Sequence, residues 1–263
     1  MDIFSHNRTA WDRRVDEQNR WTQPVSPQVI ADAREGSFEL LLTPVKSVPS
    51  DWFPELSELP TLCLAAAGGQ QAPVLAAAGA VVTLFDSSPK QLAQDRLVAD
   101  RDGLTIERVE GDMADLSRLD DESFGLIFHP CSNCFVPDVL PVWQECYRVL
   151  RPGGLLLAGF ANSVRYIFDD ERAENGLLNV RYPLPYSDLD YADRPHIRKI
   201  IEAGEPLEFG HTLEDQIGGQ LNAGLAMTGF YEDRYDQTAG DPISKFMATF
   251  VATRALKPAV ILP

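Results

Sequence analysis

Lysine is scarce in this chain: five of 263 residues, within a total of 23 basic residues set against 39 acidic ones. The formal net charge is −16. A surface of that sign repels phosphate backbones and anionic lipid headgroups, so neither nucleic acid nor a membrane surface is an expected partner. No cluster of Lys and Arg offsets it. Long hydrophobic runs are missing too. No stretch reaches the roughly 18 uncharged apolar residues that a transmembrane helix needs. The N-terminal stretch MDIFSHNRTAWDRRVDEQNR is polar and mixed in charge, unlike a signal peptide, and a cytoplasmic protein is expected. Cysteine is limited to Cys63, Cys131, Cys134 and Cys146, too few and too unevenly spaced for a secreted disulfide framework. Cys63 and Cys146 fall within apolar patterns and read as small core residues. His129, Cys131 and Cys134 lie close in sequence, but nothing nearby completes the four ligands of a structural zinc, and no metal is expected. The Cys-x-x-Cys pair also lacks a thioredoxin-like context and reads as small loop side chains.

What the chain does have is a hydrophobic content of 44 %, enough for an ordinary globular core. Residues 1–60 carry Trp11, Trp21 and Trp52, several prolines and weak periodicity, with helical turns expected around 8–19 and 26–35. Too few regular elements occur there for a separate core, so this segment is expected to pack on the rest as an arm or cap. Residues 61–160 alternate short apolar runs with helix-like segments, which implies a parallel sheet with helices on both faces. Ser88-Pro89 with Gln91 marks one helix start, and Asp138 is expected to cap the next. Arg151-Pro152-Gly153-Gly154 breaks that helix before another buried strand. Residues 161–210 lose the alternation and hold Tyr166, Tyr182, Tyr186 and Tyr191, as a lid or substrate region does. Residues 211–263 regain order, with a capping box at Thr212–Asp215, a stop at Gly224, and strand-like runs GLAMTGFYED and SKFMATFVATR. A turn at Gly240-Asp241-Pro242 lies between the two runs, which are expected to pair as an antiparallel hairpin.

The first strand–helix–strand unit, 61-TLCLAAAGGQQAPVLAAAGAVVTLFDSSP-89, has the layout of a nucleoside site. Such a turn must bring backbone N–H groups close to a ligand, which favours small residues, here Ala65 to Gly69. Only Gly68 and Gly69 freely allow positive φ, and the alanines fit wherever φ stays negative. Asp86 ends the second strand, where a carboxylate accepts hydrogen bonds from both ribose hydroxyls.

Together these segments resemble the class I S-adenosylmethionine-dependent methyltransferases, of the type 11 kind. TLCLAAAGG is similar to the family's first strand and glycine-rich loop, FDSSPKQL to its second-strand acid and helix, and VEGDMADL to its adenine-contacting segment. ECYRVLRPGGLLLAGF is similar to its helix–RPGG–strand segment, and HTLEDQIGGQLNAGLAMTGFYED followed by FMATFVATRALKP to its closing helix and hairpin. The resemblance implies an α/β, Rossmann-like, doubly wound sheet of seven strands in the order 3-2-1-4-5-7-6, the last antiparallel. An N-terminal arm and an insertion before the closing hairpin would be added to it. It implies S-adenosylmethionine as cofactor: Ala65, Ala67, Gly68, Gly69 and Gln70 along the methionine portion, Asp86 and Ser87 at the ribose, Asp112 and Met113 at the adenine. Cys63 stands where the family usually has an acid in the first strand, and Ala65 and Ala67 stand for usual glycines.

Ligands of open α/β sheets sit beyond the carboxyl ends of the strands, and the fourth strand delivers His129 to that edge. His129 has the intrinsic pKa of a general base, and is also a candidate cofactor-loop residue. Asn133 is a candidate for orienting an acceptor. Tyr166, His211, Trp11 and Trp21 are candidates for the acceptor pocket or its lid. The expected function is methyl transfer to a small-molecule acceptor. The rivals are an NAD-dependent oxidoreductase, which also uses an acid such as Asp86, and a nucleoside-binding protein without catalysis.

Overall fold

The computed structural model describes residues 1–169, 176–236 and 241–259. Five strands, β1 (Pro60–Leu64), β2 (Val81–Asp86), β3 (Ile106–Glu110), β4 (Phe124–His129) and β5 (Leu150–Ala161), form the parallel part of the sheet. Two short strands, β6 (Tyr186–Ser187) and β7 (Phe209–Gly210), pair with each other outside it. The last two, β8 (Ala226–Asp233) and β9 (Phe250–Leu256), complete the main sheet in the order β3-β2-β1-β4-β5-β9-β8. β9 is antiparallel to both neighbours, so the expected order and closing hairpin are found. Gly240 of the expected turn lies outside the described residues.

The inner strands bury both faces, and alternation sorts their side chains into two layers. On one face Cys63, Leu84, Leu126, Phe128 and Leu157 pack against α2 (Pro27–Arg34), α3 (Gln71–Ala77) and α4 (Pro89–Asp102), which follow α1 (Ile3–Asp16) in the chain. On the other, Leu62, Leu64, Phe85, Ile127 and Leu156 meet Val142, Trp143, Cys146 and Val149 of α5 (Leu140–Val149). Arm residues Ile30, Leu40, Leu42 and Trp52 belong to the first layer. The arm backbone crosses the sheet so closely that a Cβ on Gly159 would lie 2.0 Å from the Leu42 carbonyl oxygen.

Helix ends follow local chemistry, with some departures from expectation. Ser88 accepts from the Gln91 N–H at 3.1 Å and Pro89 opens α4, as expected. The return bond of a capping box is absent, because the Ser88 N–H goes to Asp86 Oδ1 at 2.9 Å. Asp138 stands one residue before the N-cap of α5 and accepts from the Leu140 N–H at 3.0 Å. α1 begins at Ile3, well before the expected start, because Asp2 accepts from Ser5 and caps it. The Thr212–Asp215 box is reciprocal, at 3.0 and 3.3 Å. It opens a π-helical turn (Glu214–Gly218) rather than a plain α-helix. Residues 161–210, without periodicity in sequence, contain α6 (Pro195–Glu202) besides β6 and β7; the closing helix α7 (Gly219–Asn222) follows.

Candidate active site

A cavity of about 940 Å³ opens at the carboxyl ends of β1, β2 and β4. One end is floored by Ala65, Ala67, Asp86, Ser87, Asp112 and Met113, all expected at a cofactor, and Gln70 borders the same end. The other end is walled by Cys131, Cys134, Arg165, Tyr166, Glu208 and Phe250. Trp11 and Trp21 of the arm line the space between arm and sheet.

The turn after β1 is tight, and the Ala65 N–H bonds the Phe85 carbonyl at 2.8 Å. Ala65 itself adopts φ +47, contrary to the expectation that the alanines keep negative φ. A left-handed alanine is strained by about 1–2 kcal/mol, part of which glycine gives back through a freer unfolded chain. Ala65→Gly is therefore expected to raise the melting temperature by about 1–3 °C, read by calorimetry. Gly68 and Gly69 take φ +122 and +76. A Cβ on Gly68 would meet the Trp21 carbonyl oxygen at 2.7 Å, so the arm backbone requires glycine there. Neither glycine lines the cavity; both N–H groups donate to Asp95 Oδ2, at 2.8 and 2.9 Å.

Asp86 is buried at the end of β2 and accepts from the Ser88 N–H at 2.9 Å and the Ala67 N–H at 3.2 Å. Burial outweighs these bonds and pushes its carboxyl up to about 6. Burial likewise pushes Asp95 up to about 7 against the two glycine amides, with Asp86 adding repulsion and Arg108 attraction. Both values lie above the usual 3.8, so between about pH 4 and 7 the folded chain binds more protons than the unfolded one. The contribution of these two groups to stability is therefore greatest at the acid end and falls as pH rises through that window. Thermal melts across it should show a shallower fall in Asp95→Asn, which cannot ionise.

His129 does not face the cavity. Alternation along β4 puts it on the Ile127 side, edge-on to Trp143 with ring centroids 6.0 Å apart. It is fully buried; Nδ1 donates to the Leu64 carbonyl at 2.9 Å, and Nε2 meets the Asn133 side-chain amide. Burial lowers its pKa, which favours the neutral ring. Asn133 bonds onward to Gln216 at 3.1 Å, and His211 Nε2 meets the Asn133 carbonyl oxygen at 3.0 Å. The expectations of a base or cofactor contact at His129, and of acceptor contacts at Asn133 and His211, are thus corrected. All three belong to a buried polar network behind the cavity wall.

Tyr166 is on the wall, and its hydroxyl donates to Glu208 Oε2 at 2.9 Å. Tyr182, Tyr186 and Tyr191 pack on one another and on Tyr166, as with Tyr182 and Tyr191 at 4.6 Å between centroids. Arg165 pairs with Asp241 at 3.1 Å and lies over the Phe250 ring at 4.8 Å. Cys131 and Cys134 are neighbours, and the hydrogen bond of the Cys134 thiol to Cys131, helped by burial, pushes the Cys134 pKa well up. Cys134 is therefore held as a thiol rather than as a thiolate poised for attack.

α1 roofs the cavity and is fixed at several points. Asp12 accepts from Ser88 Oγ at 2.6 Å and the Lys90 N–H at 3.1 Å, at the start of α4. Asn7 bonds the Phe135 and Leu207 carbonyls at 2.9 and 3.1 Å, and Trp11 meets Phe135 edge-on at 5.1 Å. Gln70 reaches the Arg20 and Gln23 carbonyls at 2.9 and 3.0 Å. Asp95 and Glu208 escape a motif-based reading. Asp95 has a sequence signal, an acid within the apolar stripe of Leu92, Val98 and Ala99, which demands a buried partner. Glu208 has none.

Residues 62–158 match the family described as Methyltransferase domain. The chain is 51 % identical over 255 residues to an uncharacterized methyltransferase of Bacillus subtilis (strain 168), YbaJ, covering 97 % of this chain and 98 % of that protein. Among solved structures, an S-adenosylmethionine-dependent methyltransferase from Mesorhizobium loti is similar in fold. Its TM-score is 0.60 at 18 % identity, over 78 % of this chain and 94 % of that one. An arsenic(III) S-adenosylmethionine methyltransferase from Chlamydomonas reinhardtii aligns over 91 % of this chain and 76 % of its own, with TM-score 0.54 and 21 % identity.

Proposed function

Since the chain belongs to the methyltransferase family, with S-adenosylmethionine as the family's cofactor, we propose that it methylates a small-molecule acceptor held at the Tyr166 end of the cavity. The observation that carries this is one continuous cavity joining the Asp86 carboxylate to the Cys131, Tyr166 and Glu208 wall. Its volume of about 940 Å³ is at the upper end of small-ligand sites, which suits two ligands side by side.

The residues present suit the cofactor. A turn of small side chains permits close approach of backbone, and a buried carboxylate at the β2 end matches a pair of ribose hydroxyls. A Cβ on Gly111 would lie 2.3 Å from the Phe85 ring, so glycine lets the chain pass that ring just before Asp112 and Met113. In this assignment Asp86 holds the ribose, Asp112 and Met113 the adenine, and Ala65, Ala67 and Gln70 border the methionine portion, with Gly68 and Gly69 shaping the turn behind them. When bound, the cofactor supplies an electrophilic methyl group on a sulfonium.

The chain's own part is binding, alignment and exclusion of water, and alignment alone supplies much of such a rate. Residues 1–60 act as the roof, 161–210 as the wall of the acceptor chamber, and 61–160 with 211–263 as the core. Glu208 and Arg165 give the chamber one group of each charge, which favours an acceptor with a polar handle. Where the acceptor must lose a proton, Glu208 is the group that takes it, in place of His129.

Calorimetric titration with S-adenosylmethionine, S-adenosylhomocysteine and NAD tests the reading. Heat with both adenosyl ligands and none with NAD is expected. No heat with either adenosyl ligand overturns it. Tight binding without turnover across a broad acceptor panel favours a binding protein instead.

A further inference from the structure

We propose that Asp95, reaching across from α4, is the positioning residue of the cofactor turn: its carboxylate fixes the Gly68 and Gly69 amides and so sets the backbone path of 65–70. The inference rests on reading that turn as the cofactor's.

Two consecutive backbone N–H groups converge on one carboxylate oxygen, at 2.8 and 2.9 Å. Consecutive amides that point the same way form an anion-binding concavity, and here the anion is a side chain of the protein itself. Asp95 is fully buried, and its other oxygen, Oδ1, has no partner among the described residues. Nothing else polar among them fixes the carboxylate, so the two glycine amides are what it is there for. A buried carboxyl of this kind is costly unless it is well bonded, whereas an apolar residue between Leu92 and Val98 would carry no such cost. Its presence in that stripe needs a purpose beyond packing.

β1 offers no such group. Cys63 is the β1 side chain on the same face, is fully buried, and lies close enough for Asp95 to raise its thiol pKa. The turn therefore takes its carboxylate from α4 instead of from the strand that precedes it. This has a mechanical consequence. α1 holds the start of α4 through Asp12 to Ser88 and Lys90, and α4 holds the turn through Asp95 to Gly68 and Gly69. Roof, helix and turn are linked in one hydrogen-bonded series.

The test combines amide hydrogen exchange of the ligand-free protein with S-adenosylhomocysteine titration. In the wild type the Gly68 and Gly69 amides should be protected. Asp95→Ala should speed their exchange and weaken S-adenosylhomocysteine about tenfold or more, because both hydrogen bonds that hold the turn are lost. Asp95→Asn keeps an accepting oxygen and should stay within about threefold of wild type. The transposed double variant, Cys63→Asp with Asp95→Ala, returns a carboxylate from β1 and should restore protection and most of the affinity. A merely structural defect would not be rescued in this way. Unchanged exchange and affinity in Asp95→Ala overturn the proposal, as does a double variant no better than Asp95→Ala. If Asp95→Ala does not fold, Asp95→Asn and the double variant decide by the same measures. If the wild type binds no adenosyl ligand, the cofactor assignment falls, and the exchange of the two amides still decides whether Asp95 holds the turn.

Discussion

Asp86→Ala is expected to weaken S-adenosylhomocysteine binding about a hundredfold. Two charge-assisted hydrogen bonds to the ribose are lost, each worth about 1.5–3 kcal/mol, and the lower figure for each already gives two decades in affinity. The carboxylate is buried at the β2 end and its oxygens already take the Ser88 and Ala67 amides, so it is oriented before any ligand arrives. A preoriented acceptor loses little on binding, which keeps the expected effect near the sum of its bonds. Asp86→Asn is the control for local damage. It retains one accepting oxygen for the Ser88 N–H and should lose less affinity than alanine. The affinity of the wild type should also fall as pH drops through about 6, because the ribose hydroxyls donate best to the ionised form. Unchanged affinity in a folded Asp86→Ala protein would mean that the ribose is held elsewhere.

The part of the site that was legible in sequence is the part built from one continuous segment. The small-residue turn and Asp86 are separated by one helix, and two hydrogen-bonded parallel strands bring them together. Chain order alone dictates that meeting. The start of α4 was legible for the same reason, since a cap bonds within three residues, as Ser88 does with Gln91; the start of α1 was missed although Asp2 bonds Ser5 over the same span. The acceptor wall is different. Tyr166 and Glu208 meet across 42 residues that carry no periodic pattern, and no local rule brings them together. Asp95 was legible in kind, as an acid on an apolar stripe, but its partners lie 26 and 27 residues away. Strand register was the remaining gap. FGLIFH is apolar throughout, so its sequence does not say which alternate set faces the cavity side; the helix packed on each face decides that. Once Ile127 is seen against α5, His129 must follow it two residues on.

That placement gives the second large expectation, at His129. His129→Ala should lower stability by about 3 kcal/mol and leave adenosyl-ligand affinity within about threefold. The ring fills space beside Trp143, so removing it opens a cavity in the α5 layer. It also leaves the Leu64 carbonyl and the Asn133 amide without their ring partners in a buried setting, at about 1–3 kcal/mol for each unsatisfied group. Relaxation of Asn133 toward Gln216 recovers part of this, since those two side chains already bond at 3.1 Å. Chemical denaturation measures the first quantity and calorimetric titration the second. A catalytic base would give the reverse pattern, with stability nearly unchanged and turnover lost. A structural His129 also predicts that stability falls as pH drops through its ordinary pKa, where the unfolded chain takes up a proton that burial disfavours in the folded one. The two patterns are opposite in stability and in turnover. The same pair of experiments on His211→Ala should fall on the structural side too, since His211 Nε2 bonds the Asn133 backbone and the ring does not line the cavity.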